Sequence, residues 1–134
     1  MTSEAFRNNP LFLRNQFEGE GTFQIPIVKK QHISLEQLRF IGYDHIKSDE
    51  RENKDSVVHF FLDDYKFEVL WNHPEPRLEK LKQYKAVLTP QYSLYTEMPI
   101  TLQIYNTFRN RWVGAYLQSN GITVIPTMCW GEPQ

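Results

Sequence analysis

Two adjacent carboxylates, Asp63 and Asp64, directly follow an apolar run that ends at Leu62. Neighbouring carboxylates can bind Mg²⁺ or act as a general base, and His59 precedes them by only a few residues. Together the three side chains could hold a divalent metal that activates water against a phosphodiester bond. The simpler interpretation is that Asp63 or Asp64 caps the following helix and that His59 is a core side chain.

The elements that must position these residues alternate along the chain. Apolar runs predict strands at residues 39–41, 57–62, 86–88 and 122–126. Helical spacing and proline positions predict helices over 63–72, from 76 onward, and over 99–120. Because strands that alternate with helices build parallel sheets through right-handed crossovers, we expect an α/β fold with a parallel or mixed sheet and βαβ crossovers.

The N-terminal part of the chain has no clear periodicity. Residues 1–22 are expected to form an irregular arm, and residues 23–134 a single α/β domain. Within the run FQIPIV, residues 23–28, the proline favours an edge position or a strand end. A helical turn is expected in SLEQL, residues 34–38, and a solvated loop over the charged residues 47–55.

Composition narrows the classes of function. A formal net charge of −1 provides no global field that would steer the chain to nucleic acid or to an anionic membrane. The sequence has no signal peptide and no apolar run near the roughly 20 residues of a membrane span, so we expect a cytoplasmic protein. Cys129 is the only cysteine, and phosphate-binding glycine loops are absent. We therefore expect no structural metal and no cofactor.

The predicted fold also selects candidate binding residues, because ligands of α/β sheets gather at the carboxyl ends of the strands. Asp44 could there add a ligand to a metal held by Asp63 and Asp64. Cys129, in the same region, is expected to be an inert buried thiol. The candidate binding residues on this rim are Tyr43, Asp44, Gln91, Tyr92, Ser93 and Trp130.

The long predicted helix carries Arg109 and Arg111 beside Trp112. Basic and aromatic side chains together can bind single-stranded nucleic acid, which adds both arginines to the candidate binding residues. At helical spacing, however, Phe108 and Trp112 share one apolar stripe, so an amphipathic core helix is the favoured interpretation. Another side of this helix is expected to face solvent or a partner and carries Gln103, Asn106 and Asn110.

Three long segments of the chain resemble one known family. They are HFFLDDYKFEVLWNHPE, VLTPQYSLYTEMP and QIYNTFRNRWVGAYLQSNGITVIPTMCWGEP. The family is the domain of unknown function 4417, which is common in phages, plasmids and other mobile elements. The resemblance extends from about residue 23 to the C-terminus. It implies a mobile-element context and an α/β architecture, and it brings no established activity.

Two departures from the family pattern bear on function. Family members often carry Asp-Phe where this chain has Gln91-Tyr92, so a carboxylate is missing from the expected rim. Family members also continue well past the tryptophan that matches Trp130, so the chain resembles the N-terminal half of a larger, barrel-like α/β domain. A half-domain would leave an apolar sheet edge and face that need a partner.

These observations predict a phage or mobile-element binding module that binds, and inhibits, a host or defence protein in the host-cell cytoplasm. The alternatives are a homodimer, a metal-dependent nucleic-acid-processing enzyme that uses Asp63, Asp64 and His59, and a degraded fragment without function. Nucleic acid is the less favoured partner, and no membrane association is expected. Residues 122–125 should form an edge strand that FQIPIV closes or that pairs with another chain.

Overall fold

The structure is a computed structural model that describes residues 9–34, 36, 39–49 and 55–127. The helices are α1 (Pro10–Leu13), α2 (Glu68–Asn72), α3 (Leu78–Leu81) and α4 (Ile100–Ser119). The strands are β1 (Gly19–Glu20), β2 (Ile25–Pro26), β3 (Arg39–Gly42), β4 (Ser56–His59), β5 (Ala86–Leu88) and β6 (Val124–Ile125). Short 3₁₀ turns cover Tyr43–His45, Asp64–Lys66 and Glu75–Arg77. Most of the turn expected at 34–38 and most of the loop expected at 47–55 lie outside the described residues, as do Cys129 and Trp130.

Four parallel strands form the central sheet in the order β3-β4-β5-β6. The predicted α/β fold with a parallel sheet is therefore confirmed. Strand β4 ends at His59 rather than at Leu62: its last residue pairs with Gly42, the last residue of β3, and its ladder with β5 ends at Val58 opposite Val87. Phe60 instead turns its ring into the core, where 1% of its surface is exposed.

Helix α4 covers one face of this sheet. Trp112, Val113 and Leu117 of the helix belong to one buried cluster with strand residues that include Val58 and Val124. At Gly114 a Cβ atom would lie 2.7 Å from a methyl of Thr89 and 2.8 Å from a methyl of Val28. Glycine is therefore required at this position for the close approach of the helix.

The C-terminus of α4 is closed by a Schellman motif. Gly121 has a φ of +85°, a conformation that glycine adopts readily. Its N–H donates to Gln118 O at 3.0 Å, and the N–H of Ile122 donates to Leu117 O at 3.1 Å. The predicted helix over 99–120 and its glycine stop are both confirmed. In the described part of the chain, no helix is long and apolar enough to cross a membrane.

The N-terminal segment contains more regular structure than the irregular arm we expected. Helix α1 precedes an antiparallel pair, in which Gly19 lies opposite Pro26 of β2. Arg14 fixes the segment to the body, because its guanidinium carbon lies 3.5 Å from the ring centroid of Trp71 and 4.3 Å from that of Trp112. Burial lowers the pKa of Arg14 to about 10.

The prediction that β6 forms an edge is confirmed for the described residues, but FQIPIV does not close it. Residues of that run pair with β1 instead. The side chain of Gln31 takes the place of a neighbouring strand, because its Oε1 accepts a hydrogen bond from the N–H of Val124 at 2.7 Å. Gln118 of α4 holds Gln31 in position by donating to the same oxygen at 2.8 Å.

Candidate functional site

The carboxyl ends of the parallel strands border an open cleft of about 700 Å³, which we call the rim cleft. Segments that follow β4 and β5 supply its walls. Ligands of α/β sheets bind at this end of the strands, which is where the sequence predicted the candidate residues. The residues that line the rim cleft are Phe60, Phe61, Leu62, Asp63, Lys66, Gln91, Tyr92, Ser93, Leu94 and Tyr95.

Asp64 joins the two walls of the cleft. Its carboxylate accepts one hydrogen bond from the backbone N–H of Ser93 at 3.1 Å and another from the Ser93 hydroxyl at 3.0 Å. Asp63 precedes the turn at Asp64–Lys66 without making a side-chain capping bond, and it is exposed in the cleft. The expectation that one of these aspartates caps the helix is therefore wrong, because Ser93 offers Asp64 two donors.

Three amide side chains of α4 support the segment that forms the second wall. The expectation that they face solvent or a partner is wrong, since all three are buried. Residues 90–98 form neither helix nor strand, so their carbonyl groups need partners from elsewhere. The bonds run from Gln103 Nε2 to Met98 O (2.9 Å), from Asn106 Nδ2 to Ser93 O (2.7 Å) and from Asn110 Nδ2 to Pro90 O (2.7 Å).

Arg109 lies beneath this wall with its side chain only 12% exposed. One Nη atom forms an ion pair with Glu68 at 3.0 Å, and the other donates to Asn106 Oδ1 at 2.7 Å. Its guanidinium carbon is 3.9 Å from the ring centroid of Tyr92. Arg109 therefore positions the cleft wall and is largely withheld from solvent.

Tyr92 and Gln91 carry buried polar atoms that have no hydrogen-bond partner among the described residues: the hydroxyl of Tyr92 and Oε1 of Gln91. Tyr92 is 1% exposed, and this burial raises the pKa of its hydroxyl, while the charge of Arg109 acts in the opposite direction. An unpaired buried hydroxyl or amide oxygen costs about 1–3 kcal/mol. Both residues border the cleft, but these two atoms themselves are inaccessible to solvent.

A second set of polar contacts joins the ends of β5 and β6. The N–H of Thr127 donates to Thr89 Oγ1 at 2.7 Å, and Asn110 Nδ2 donates to Thr127 Oγ1 at 3.1 Å. Arg111, which is half-buried, donates to Asn110 Oδ1 at 3.0 Å. These bonds connect the ends of the two neighbouring strands with helix α4.

The other candidate residues lie in different surroundings. Tyr43 is buried and stacks on Phe60 with a centroid distance of 5.1 Å, so it is a core side chain in the structure. Asp44 forms an ion pair with Lys66 at 3.3 Å, and Lys66 lines the cleft. Trp130 lies outside the described residues.

His59 does not lie in the core, contrary to the simpler interpretation of its position. It is half-buried, its ring stacks on that of Phe61 at 5.5 Å, and its Nδ1 accepts a hydrogen bond from the N–H of Phe61 at 3.3 Å. Asp64 is engaged by Ser93, and the described residues contain no group of three or more His, Cys, Asp or Glu side chains that could hold a metal.

Exposed aromatic side chains border the cleft, and sequence reasoning missed them as site residues. Phe61 and Tyr95 line it with 61% and 60% of their surface exposed. Tyr65, which is 74% exposed, lies in the turn that supplies Lys66. Only Tyr95 carried a signal in the sequence, because it follows a strand in a segment without a periodic pattern. Phe61 lay in the predicted strand 57–62 and Tyr65 in the predicted helix 63–72, where their exposure could not be foreseen.

The fold and the rim cleft together define a class: an α/β domain with a parallel sheet and an open cleft at the carboxyl ends of its strands. The chain belongs to the family described as a domain of unknown function (DUF4417), whose family model matches residues 17–134. It is therefore a member of a family known from phages whose function is not known.

Two phage proteins are similar to this chain. The Gene 1 protein of Mycobacterium phage L5 is 42% identical over 123 residues, which is 92% of this chain and 53% of that protein. The Gene 1 protein of Mycobacterium phage D29 is 50% identical over 77 residues, which is 58% of this chain and 28% of that protein. The chain thus spans about half the length of the L5 protein, and its match to the D29 protein covers 28% of that protein. No solved structure matches the chain.

Proposed function

We propose that the chain is a phage-encoded protein-binding module that binds a partner protein in the rim cleft. The observation that carries this proposal is the pair of exposed aromatic side chains in the cleft, Phe61 and Tyr95. Aromatic side chains are enriched in protein interfaces, where they contribute much of the binding free energy. Exposure of these apolar rings to water is unfavourable in free energy, and a partner that buries them would remove this penalty.

The charges of the cleft favour a protein over a nucleic acid. Asp63 and Lys66 line it with opposite charges. Arg109, the arginine nearest to the wall, is neutralised by Glu68. A nucleic-acid site draws most of its affinity from several lysines and arginines that contact phosphates, and the lining of this cleft contains one lysine and no arginine.

The rigidity of the cleft wall supports a binding role further. Asn106 and Asp64 fix Ser93 from two sides, and Arg109 fixes Asn106 in turn. A wall that is already ordered loses little conformational entropy on binding, which raises affinity.

In the context of a phage, the specific form of this proposal is a partner from the host cytoplasm. A host or defence protein that the module inhibits fits that context. The competing enzyme hypothesis needs Asp63 and Asp64 to share one metal. The Asp64 carboxylate is instead bonded to Ser93, which supports binding over catalysis.

Site-specific photocrosslinking tests the proposal. A photoreactive phenylalanine analogue replaces Tyr95 in the cleft, and in a control protein it replaces Phe23, which is 57% exposed and does not line the cleft. In a mycobacterial lysate, chosen because of the relatives' hosts, the Tyr95 position should give a discrete protein adduct that unlabelled chain suppresses. The Phe23 position should not. Adducts at both positions, no adduct at Tyr95, or an adduct that nuclease removes would each contradict the proposal.

A further inference from the structure

The second face of the parallel sheet carries an apolar groove of about 450 Å³, which we call the face groove. Phe40 of β3 and Phe61 border it with 54% and 61% of their surface exposed. Among the described residues, the groove is lined by the four strands of the sheet, by Phe61 and by the segment 31–33. No helix in the described part of the chain lines it. The residues that line it are Gln31, His32, Ile33, Phe40, Val57, Phe61, Leu88 and Ile125.

An apolar sheet face that is exposed to water is unfavourable. Parallel sheets are almost always covered on both faces, and α4 covers only the opposite face here. A groove with this lining favours apolar side chains, because only Gln31 and His32 contribute polar groups. The occupant therefore packs on the face by hydrophobic contact.

The length of the relatives indicates what the occupant is. The chain spans 53% of the Gene 1 protein of Mycobacterium phage L5, so nearly half of that protein lies outside the similarity. A partner strand on β6 would compete with Gln31, which already accepts the hydrogen bond of the Val124 N–H. Additional polypeptide therefore covers the face of the sheet more readily than it extends this edge.

We propose that the face groove is the packing surface for the polypeptide that the longer family members carry outside the region similar to this chain. Apolar side chains of that polypeptide bury Phe40, Leu88 and Ile125, and so complete the second layer of the domain. The rim cleft stays open at the end of the sheet. Phe61 borders both the face groove and the rim cleft, so the two proposals share this side chain, while their tests probe Phe40 and Tyr95 separately.

Cysteine accessibility tests the proposal. Cys129, the only cysteine, is replaced by Ser, and a single cysteine is introduced by Phe40→Cys in the groove or by Tyr95→Cys in the cleft as a matched control. Each variant is made in the chain itself and in a chimaera. The chimaera joins the chain to the part of the L5 protein outside the matched 123 residues, with any cysteines there replaced by serine.

The expected result is that the thiol of Phe40→Cys reacts at least tenfold more slowly in the chimaera than in the chain. The thiol of Tyr95→Cys should react equally fast in both. Equal rates for Phe40→Cys in the two proteins overturn the proposal. A slow reaction in the chain alone, with a solution mass of twice 16.0 kDa that Phe40→Glu abolishes, also overturns it in favour of a second copy.

A second measurement does not depend on the folding of the chimaera. The same two substitutions are made at the aligned positions of the full-length L5 protein. There the position aligned with Phe40 should react at least tenfold more slowly than the position aligned with Tyr95. Comparable rates at the two positions would overturn the proposal even if the photocrosslink at Tyr95 is obtained, so the two proposals fail separately.

Discussion

Asp64 and Ser93 are joined by two hydrogen bonds across the rim cleft, although 29 residues separate them in the chain. The bonds connect the turn after β4 to the segment after β5. They use both oxygens of the carboxylate, Oδ1 for the hydroxyl and Oδ2 for the backbone N–H. Asp64 thus has a structural role in the cleft, whereas the neighbouring Asp63 is exposed.

Replacing Asp64 by Ala should therefore destabilise the protein. Hydrogen bonds to a charged group contribute about 1.5–3 kcal/mol, and the variant leaves the N–H of Ser93 without its acceptor. We expect a decrease in the free energy of unfolding of about 1.5–3 kcal/mol, measured by urea denaturation. The matched variant Asp63→Ala, at an exposed position, should change it by no more than about 0.5 kcal/mol. Equal losses in the two variants would contradict the assigned role.

Tyr92→Phe should stabilise the protein. The hydroxyl of Tyr92 is buried without a partner, so its removal ends a desolvation penalty of about 1 kcal/mol while the ring remains in place. Phenylalanine is also the residue that the family resemblance implies at this position. Urea denaturation at neutral pH measures the effect. A loss of stability of more than about 0.5 kcal/mol would mean that the hydroxyl has a partner in solution.

The same variant should change the dependence of stability on alkaline pH. Burial raises the pKa of Tyr92 above its ordinary value of 10.0, so the unfolded chain loses this proton at a lower pH than the folded protein. The protonated side chain is favoured in the folded protein relative to the ionised one. Ionisation of Tyr92 therefore leaves stability unchanged below about pH 10 and lowers the free energy of unfolding as the pH rises above that value. Between about pH 9 and 11, the unfolding free energy of Tyr92→Phe should therefore fall less steeply than that of the unchanged chain. Parallel pH profiles would contradict this.

The helices and strands whose sequence pattern is local could be predicted. The side-chain positions that depend on polar contacts between distant residues could not. The parallel strands and α4 follow from apolar runs, prolines and Gly121, all of which act within a few residues. The partners of Asp64 and Asn106 could not be predicted, because a capping aspartate and an exposed asparagine have the same local pattern. Three amides at i, i+3 and i+7, Gln103, Asn106 and Asn110, were a signal for a buried polar stripe that hydrophobic periodicity does not detect.

Arg109→Met tests whether the arginine is structural. The substitution leaves Glu68 without its partner and removes the contact of the guanidinium with Tyr92. Since Glu68 is 39% exposed, water partly compensates, and we expect a loss of about 2 kcal/mol in the free energy of unfolding. The control Lys82→Met removes an exposed pair with Glu79, at 3.8 Å, and should lose no more than about 0.5 kcal/mol.

Asn106→Ala should loosen the cleft wall, because it removes the donor to Ser93 O and the acceptor of the Arg109 guanidinium. The loss of buried hydrogen bonds predicts a decrease of about 1–3 kcal/mol in the free energy of unfolding. Hydrogen–deuterium exchange should then accelerate in residues 91–98 more than in the strands of the sheet. Asn72→Ala, at an exposed position of α2, is the matched control and should leave the exchange of that segment unchanged.

If Asn106→Ala destabilises the whole domain uniformly without a selective effect on 91–98, the amide stripe acts on global stability and not on the shape of the cleft wall. In that case the photocrosslink at Tyr95 should survive the substitution, whereas a preformed wall predicts that it weakens.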